Sequence, residues 1–247
     1  MKKIIFSSII AGITILLVIG CNNPFSSNSK KEKRKVDTTY NPVINPSNFA
    51  AQIDNKYYPL KPGTKYFYET EAEDGHERNE VYITHETKTI LGVVCTVVDD
   101  KVWLNDSLVE ATLDWYAQDK DGNVWYFGED SKEYENGKFV STSGSWEAGV
   151  DGAKPGIIMK ASPQVGDSYR QEYYFDEAED LADVLSLKES ATVPYGSFTN
   201  CLKTKDYTPL DTEVVENKHY APGIGIVLEV MVKGGSERTE LVDITTE

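Results

Sequence analysis

The sequence predicts an all-β fold of antiparallel meander units. Three observations carry this. Tyrosine, which favours strands, occurs 15 times against 3 methionines. From residue 57 onward, runs of alternating or β-branched residues are separated by turn chemistry. Asp121-Gly122-Asn123 and Asn136-Gly137 are the clearest hairpin signals. Third, three segments recur in order. Pro62-Gly63-Thr64-Lys65-Tyr66 is echoed by Val165-Gly166-Asp167-Ser168-Tyr169, Thr89 to Cys95 by Thr192 to Cys201, and Trp115-Tyr116-Ala117 by His219-Tyr220-Ala221. The offsets, 103, 106 and 104 residues, point to duplication of one unit.

The elements follow in order. Lys2-Lys3 precedes an apolar run over residues 4–19, which ends in Leu17-Val18-Ile19-Gly20-Cys21. As a helix, sixteen residues rise about 24 Å, short of a ~30 Å hydrocarbon core, so a cleaved secretory segment over residues 1–20 is expected. The small residue before Cys21, after aliphatics, resembles the lipobox of bacterial lipoproteins. That resemblance implies diacylglycerol on Cys21 as the mature N-terminus and a membrane partner through that lipid. Residues 21–55 are Ser-, Asn- and Lys-rich and then Pro-interrupted, the composition of a flexible tether.

A first β unit spans 56–130. Strands are expected over 64–71 and 80–90, with Val81, Ile83 and His85 on one face. Residues 91–98, a near-continuous valine run, read as a strand buried on both faces. Residues 108–119 and 124–128 form an aromatic hairpin. Residues 131–162 have no counterpart in the repeat and read as a linker or insert. A second unit spans 163–247. Within it, residues 176–187 place Leu181, Val184 and Leu185 at helical spacing and allow either one short helix or an acidic loop feeding a strand. The units can pack as a curved sheet, a split barrel or a sandwich.

Pro59-Leu60-Lys61-Pro62-Gly63-Thr64, the Trp115–Glu129 hairpin, Gly144-Ser145-Trp146-Glu147, Val165-Gly166-Asp167-Ser168-Tyr169-Arg170 and Tyr220-Ala221-Pro222-Gly223 together resemble an uncharacterised family of bacterial exported proteins and lipoproteins. The resemblance covers nearly everything after residue 55. It implies an antiparallel β fold outside the cytoplasm and brings no activity with it.

Charge narrows the partners. Seven of 25 basic residues precede Val36 with one acid, Glu32, leaving 18 basic against 39 acidic residues in the body, a net of −21. Such a body repels phosphate backbones, so nucleic acid is not expected. Neutral glycans, lipids and basic peptides remain as ligands.

Candidate chemistry centres on residues 114–158. Asp119, Asp121, Asn123 and Asp130 match positions 1, 3, 5 and 12 of a calcium loop. Val124 stands where that loop needs glycine, and a plain hairpin tip is the competing reading. Trp115, Trp125 and Trp146 are candidate ligand platforms, with Glu147, Asp151 and Arg170 beside them. A Glu/Asp pair within 129–151 would suit a glycan hydrolase if two carboxylates faced each other. His76, His85 and His219 lack ligand spacing, and no nucleophile elbow, zinc motif, P-loop or dinucleotide fingerprint occurs. The expectation is a non-catalytic envelope lipoprotein, ligand-binding or structural, needing no cofactor. Cys95 and Cys201 occupy matching places and are either a disulfide or two buried thiols.

Overall fold

The computed structural model describes residues 34–72 and 75–247; the secretory segment and Cys21 lie outside them. Among the described residues the chain is antiparallel β without an α-helix. A 3-10 turn, Pro46–Asn48, leads into two short strands, β1 (Ile53–Asp54) and β2 (Pro59–Leu60). A first meander follows: β3 (Thr64–Ala72), β4 (Gly75–Ile90), β5 (Val93–Leu104), β6 (Ser107–Gln118) and β7 (Val124–Glu135). Next come β8 (Lys138–Ser141), β9 (Trp146–Glu147), β10 (Lys154–Met159), β11 (Ser168–Arg170) and β12 (Glu172–Tyr173). The second meander is β13 (Leu181–Val193), β14 (Gly196–Tyr207), β15 (Val215–Ala221), β16 (Gly225–Lys233) and β17 (Arg238–Thr246).

One continuous sheet unites the meanders, in the order β11-β13-β14-β15-β16-β17-β3-β4-β5-β6-β7-β10-β12. The join is β17 against β3, from Thr239 opposite Thr70 to Thr246 opposite Thr64. Strands β8, β9 and β10 all pair with β7, so residues 131–162 belong to the sheet rather than standing between two bodies. The path is a curved sheet and not a closed barrel. Its terminal strands, β11 and β12, are separated in sequence by Gln171 alone, so its ends meet at a seam.

Three features hold that seam. Gln171 N donates to Asp180 O at 2.8 Å. Gly156 on β10 lets the backbones approach: a Cβ there would lie 2.2 Å from Gln171 O. The N-terminal arm, residues 34–50, lies across it. Asp37 N donates to the Tyr173 hydroxyl at 2.7 Å, the Tyr40 hydroxyl donates to Pro155 O at 2.7 Å, and Arg34 pairs with Glu179 at 2.6 Å.

Two expectations change, and one open choice is decided. Residues 176–187 are not helical: Asp176 sits at φ 62, and from Leu181 the chain is strand β13, with Leu181 opposite Tyr207, Val184 opposite Thr204, and Ala182 and Val184 buried. The valine run is not buried on both faces. Val93 and Cys95 are buried, but Val94 is 60% exposed, because the sheet is one layer deep there. Cys95 and Cys201 are free thiols, both buried; β5 and β14 stand six steps apart along the sheet.

The seam predicts an asymmetry between glycines. Gly156→Ala should lower stability by about 3 kcal/mol, since backbone must move to admit the methyl. Gly196→Ala, whose Cβ meets only Phe198 Cζ at 3.8 Å, should stay within about 1 kcal/mol. Equal urea midpoints for the two variants would remove the seam from the account.

Candidate functional site

The residues expected to form a ligand face do not form one. Trp115 is buried, with Lys88 Nζ 3.3 Å from its ring centroid and the same ammonium 2.7 Å from Glu147. Trp146 is buried too; its indole N–H donates to Glu172 Oε2 at 3.0 Å, and its ring meets Tyr126 edge-on at 5.3 Å. Trp125 packs against Phe49 and donates to Asp119 Oδ2 at 2.8 Å. Arg170 lies over Tyr40 and Tyr173 and pairs with Asp37 at 3.2 Å, on the seam. Asp151 sits at φ 50 in an exposed turn. Except for Asp151, these side chains hold the fold, each with its own partner.

The calcium-loop residues likewise separate. Asp119 accepts from Asn123 N at 2.9 Å and Asn123 Nδ2 at 2.8 Å, the geometry that closes a hairpin tip. Asn123 Oδ1 accepts from Ala161 N at 2.9 Å, and Asp121 is exposed. Asp130 lies seven positions further along extended chain, roughly 20 Å away, and pairs with Lys132.

What stands out instead is the interior. Along several strands the buried face changes from apolar to polar in the same direction. On β4 it passes from Ile90, Ile83 and Val81 to Asn79 and Glu77. On β5 it passes from Val93 and Cys95 to Asp100, and on β6 from Tyr116 to Asp114, Thr112 and Glu110. On β14 Cys201 and Leu202 give way to Thr204 and Asp206, and on β15 Tyr220 gives way to Lys218 and Glu216. A tyrosine belt divides the two zones: Tyr116 stacks on Tyr126 at 4.7 Å, and Tyr58 touches Tyr116 and Tyr220 at 5.7 and 6.4 Å.

Beyond the belt, eleven Asp and Glu residues are buried among the described residues, against one lysine, Lys218, and no arginine. Glu179 reaches Arg34 and Arg170 at the seam. Lys218 lies 3.4 Å from Glu229 and 3.8 Å from Asp206. Burial works against its ammonium, but Glu229, Asp206, Glu216 and Asp180 outweigh burial and hold its pKa above the usual lysine range. One positive charge cannot balance the remaining carboxylates, and bare buried carboxylates cost several kcal/mol each.

Burial therefore favours the protonated form in several of these carboxyls. Burial, with the neighbouring charges of Glu229, Glu110 and Asp100, pushes Glu77 up to about 8. Burial and Asp100 push Glu110 up to about 7. Burial outweighs Lys218 and pushes Asp180 up to about 7. Asp114, Glu172 and Glu216 stand well above the carboxylate range, with burial the first cause in each. Glu129, partly exposed by area, is raised the same way by burial and then by Asp114. Glu216 has no hydrogen-bond partner on either oxygen. It lines a cavity of about 10 Å³ with Glu77, Glu229, Glu237, Thr70 and Thr239. No set of three or more His, Cys, Asp or Glu side chains among the described residues is arranged to hold a metal ion. His219 is buried and lowered, while His76 and His85 are exposed beside Glu71 and Glu247.

Sequence reasoning missed this zone because its signal imitates a solvent face. Glu110, Thr112 and Asp114 alternate with Ala111, Leu113 and Trp115, and polar alternation ordinarily faces water. Here Ala111 and Leu113 are the half-exposed set.

Lys218→Met should cost about 3–5 kcal/mol in denaturant unfolding at pH 7, as it strands Asp206 and Glu229. The loss should shrink at pH 5, where those carboxyls take up protons. A change below about 1 kcal/mol at pH 7 would deny Lys218 its central place.

No protein-family model matches this chain, and no curated protein matches it. Two solved structures overlap it. One is described as an exported protein with a YmcC-like fold from Bacteroides fragilis, 14% identical with a TM-score of 0.47. The other is described as a lipoprotein from Parabacteroides distasonis, 14% identical with a TM-score of 0.43. Each alignment covers 78% of this chain and 100% of the other. Overlap this loose carries no argument about what this chain does.

Proposed function

We propose that this chain is a bacterial envelope lipoprotein, anchored through Cys21 and non-catalytic, whose β body serves a structural or binding role at the membrane surface. One observation carries the reading: the later part of the 21–55 segment expected to be a flexible tether, from Arg34 onward, is built into the fold. Its Arg34 is fixed to Asp176 and Glu179, and its Tyr40 to Pro155. Residues 22–33 span at most about 40 Å when fully extended, so an anchored body stays close to the bilayer. An engaged arm does more than a spacer requires: it joins the anchor to the seam that completes the sheet.

The interior supports binding at the outer surface rather than within. Two cavities among the described residues measure about 10 and 20 Å³, room for about one water each. The tryptophans that would stack a sugar are covered by Lys88, Phe49 and Tyr126. Basic peptides, neutral glycans and lipid headgroups are the ligand classes the acidic exterior admits. Cys21→Ser should move the protein from the membrane to the soluble fraction of its host without altering the thermal midpoint of the body. Metabolic palmitate labelling should disappear with it. A Cys21→Ser protein still labelled and still membrane-bound would sink the proposal.

A further inference from the structure

One row of inward side chains crosses five strands. Lys218 on β15 lies opposite Glu229 on β16, Glu229 opposite Thr239 on β17, Thr239 opposite Thr70 on β3, and Thr70 opposite Glu77 on β4. At one end of the row the Lys218 ammonium is held by Glu229 and Asp206. In its middle the Thr70 and Thr239 hydroxyls share a hydrogen bond of 2.7 Å. The cavity of about 10 Å³ lies against this row, and Glu216, Glu237 and Met231 complete its lining. Glu216 is 1% exposed, and neither of its carboxyl oxygens has a hydrogen-bond partner. Glu237 Oε2 is buried without one as well. The exposed Gly234-Gly235 turn adjoins the cavity. A Cβ on Gly235 would lie 2.6 Å from Met231 Sδ and closer still to Glu237 Oε2, so bare backbone there lets the Glu237 carboxyl tuck beneath the turn.

We propose that this cavity binds a protonated amine, a single ammonium group that sits beside Glu216 as the Lys218 ammonium sits beside Glu229. Size and hydrogen bonding both select that group. The volume admits one water-sized group, so only the charged end of a larger ligand enters. An ammonium carries N–H donors and no acceptor, and the wall offers acceptors: the open oxygens of Glu216 and Glu237 and the two threonine hydroxyls. A guanidinium is a planar fork that exceeds the space. Calcium needs about six to eight oxygen ligands, and the carboxyls among the described residues are not arranged to hold a metal ion.

The charges facing Glu216 set the pH dependence. Its own strand brings Lys218, which Asp206 and Glu229 already engage; β16 brings Glu229, β14 brings Asp206, and Asp180 stands just before β13. Glu77 on β4 and Glu237 just before β17 line the same cavity. Burial, the first cause, favours the neutral carboxyl, and a bound ammonium favours the ionised one. The amine therefore enters as the carboxyl releases its proton to solvent, and the charge of the site is unchanged. Affinity rises with pH by up to about tenfold per unit for each proton released.

This names a group for the binding role proposed above and leaves the Cys21 anchor aside. Thermal midpoints of the purified protein in methylammonium chloride test it, against tetramethylammonium chloride at equal ionic strength. Methylammonium should raise the midpoint to a plateau, with apparent affinity up to about tenfold higher at pH 8 than at pH 7. Tetramethylammonium, which has no N–H, should not raise it. Glu216→Gln should weaken the response by at least about tenfold; Thr239→Val provides the same test should Glu216→Gln not fold. Capped lysine distinguishes the sources of the amine: competition with methylammonium assigns the site to a basic peptide side chain, and no competition assigns it to a small free amine. Equal midpoints in the two salts, a rise without a plateau, or a wild-type response in a folded variant would each overturn the site, whatever the fate of Cys21→Ser.

Discussion

Everything in this fold has to accommodate one lysine among many carboxyls. Lys218 lies within 4 Å of Asp206 and Glu229 and carries the only ammonium in the buried set of the described residues. A buried ion pair gains little over an apolar pair of the same volume, but its partners cannot lose it cheaply. The remaining acids are tolerable only as neutral groups. Hydroxyl and amide donors complete the arrangement: Thr204 and Gln171 bond Asp206, Thr112 bonds Glu110, and Tyr126 bonds Asp114. An interior of this kind specifies its register strongly, because a one-residue slip would exchange protonated acids for Ala111 and Leu113.

That interior requires exclusion of water, and the seam provides it. The ends of the sheet approach where Gly156 admits Gln171, and Gln171 also donates to Asp206, so the seam and the charge cluster share a residue. The arm from residue 34 lies over the same place. Arm, seam and interior are therefore linked: the segment from residue 34 covers the point at which solvent would reach the acids. Gly128, at φ 128 and with Trp146 O 2.2 Å from where its Cβ would be, serves the flank of that seam by letting β9 lie against β7.

The fold class was legible in the sequence. Period-two runs, Asp121-Gly122 and Asn136-Gly137 marked strands and hairpins, and the strand pattern over 80–90 put Val81 and Ile83 inside, where they are. Residues 176–187 misled because Leu181, Val184 and Leu185 suit two periods at once, and only pairing with β14 decides between them. The site was not legible. Aromatic density around Trp115, Trp125 and Trp146 marked packing, since ring faces in a thin sheet are covered by Lys88, Phe49 and Tyr126. The acids of β6 looked solvated because sequence carries the alternation but not which face turns inward.

The central claim is that buried carboxyls hold protons at neutral pH, and counting those protons tests it most directly. Unfolding the protein at pH 7 in unbuffered denaturant, with the pH held constant by titrant, gives the net number released. The account predicts release of two or more protons, as Asp and Glu pass from raised values to their ordinary range of about 4. No release, or net uptake, would mean that these carboxyls are already ionised in the folded protein, and the account would fail.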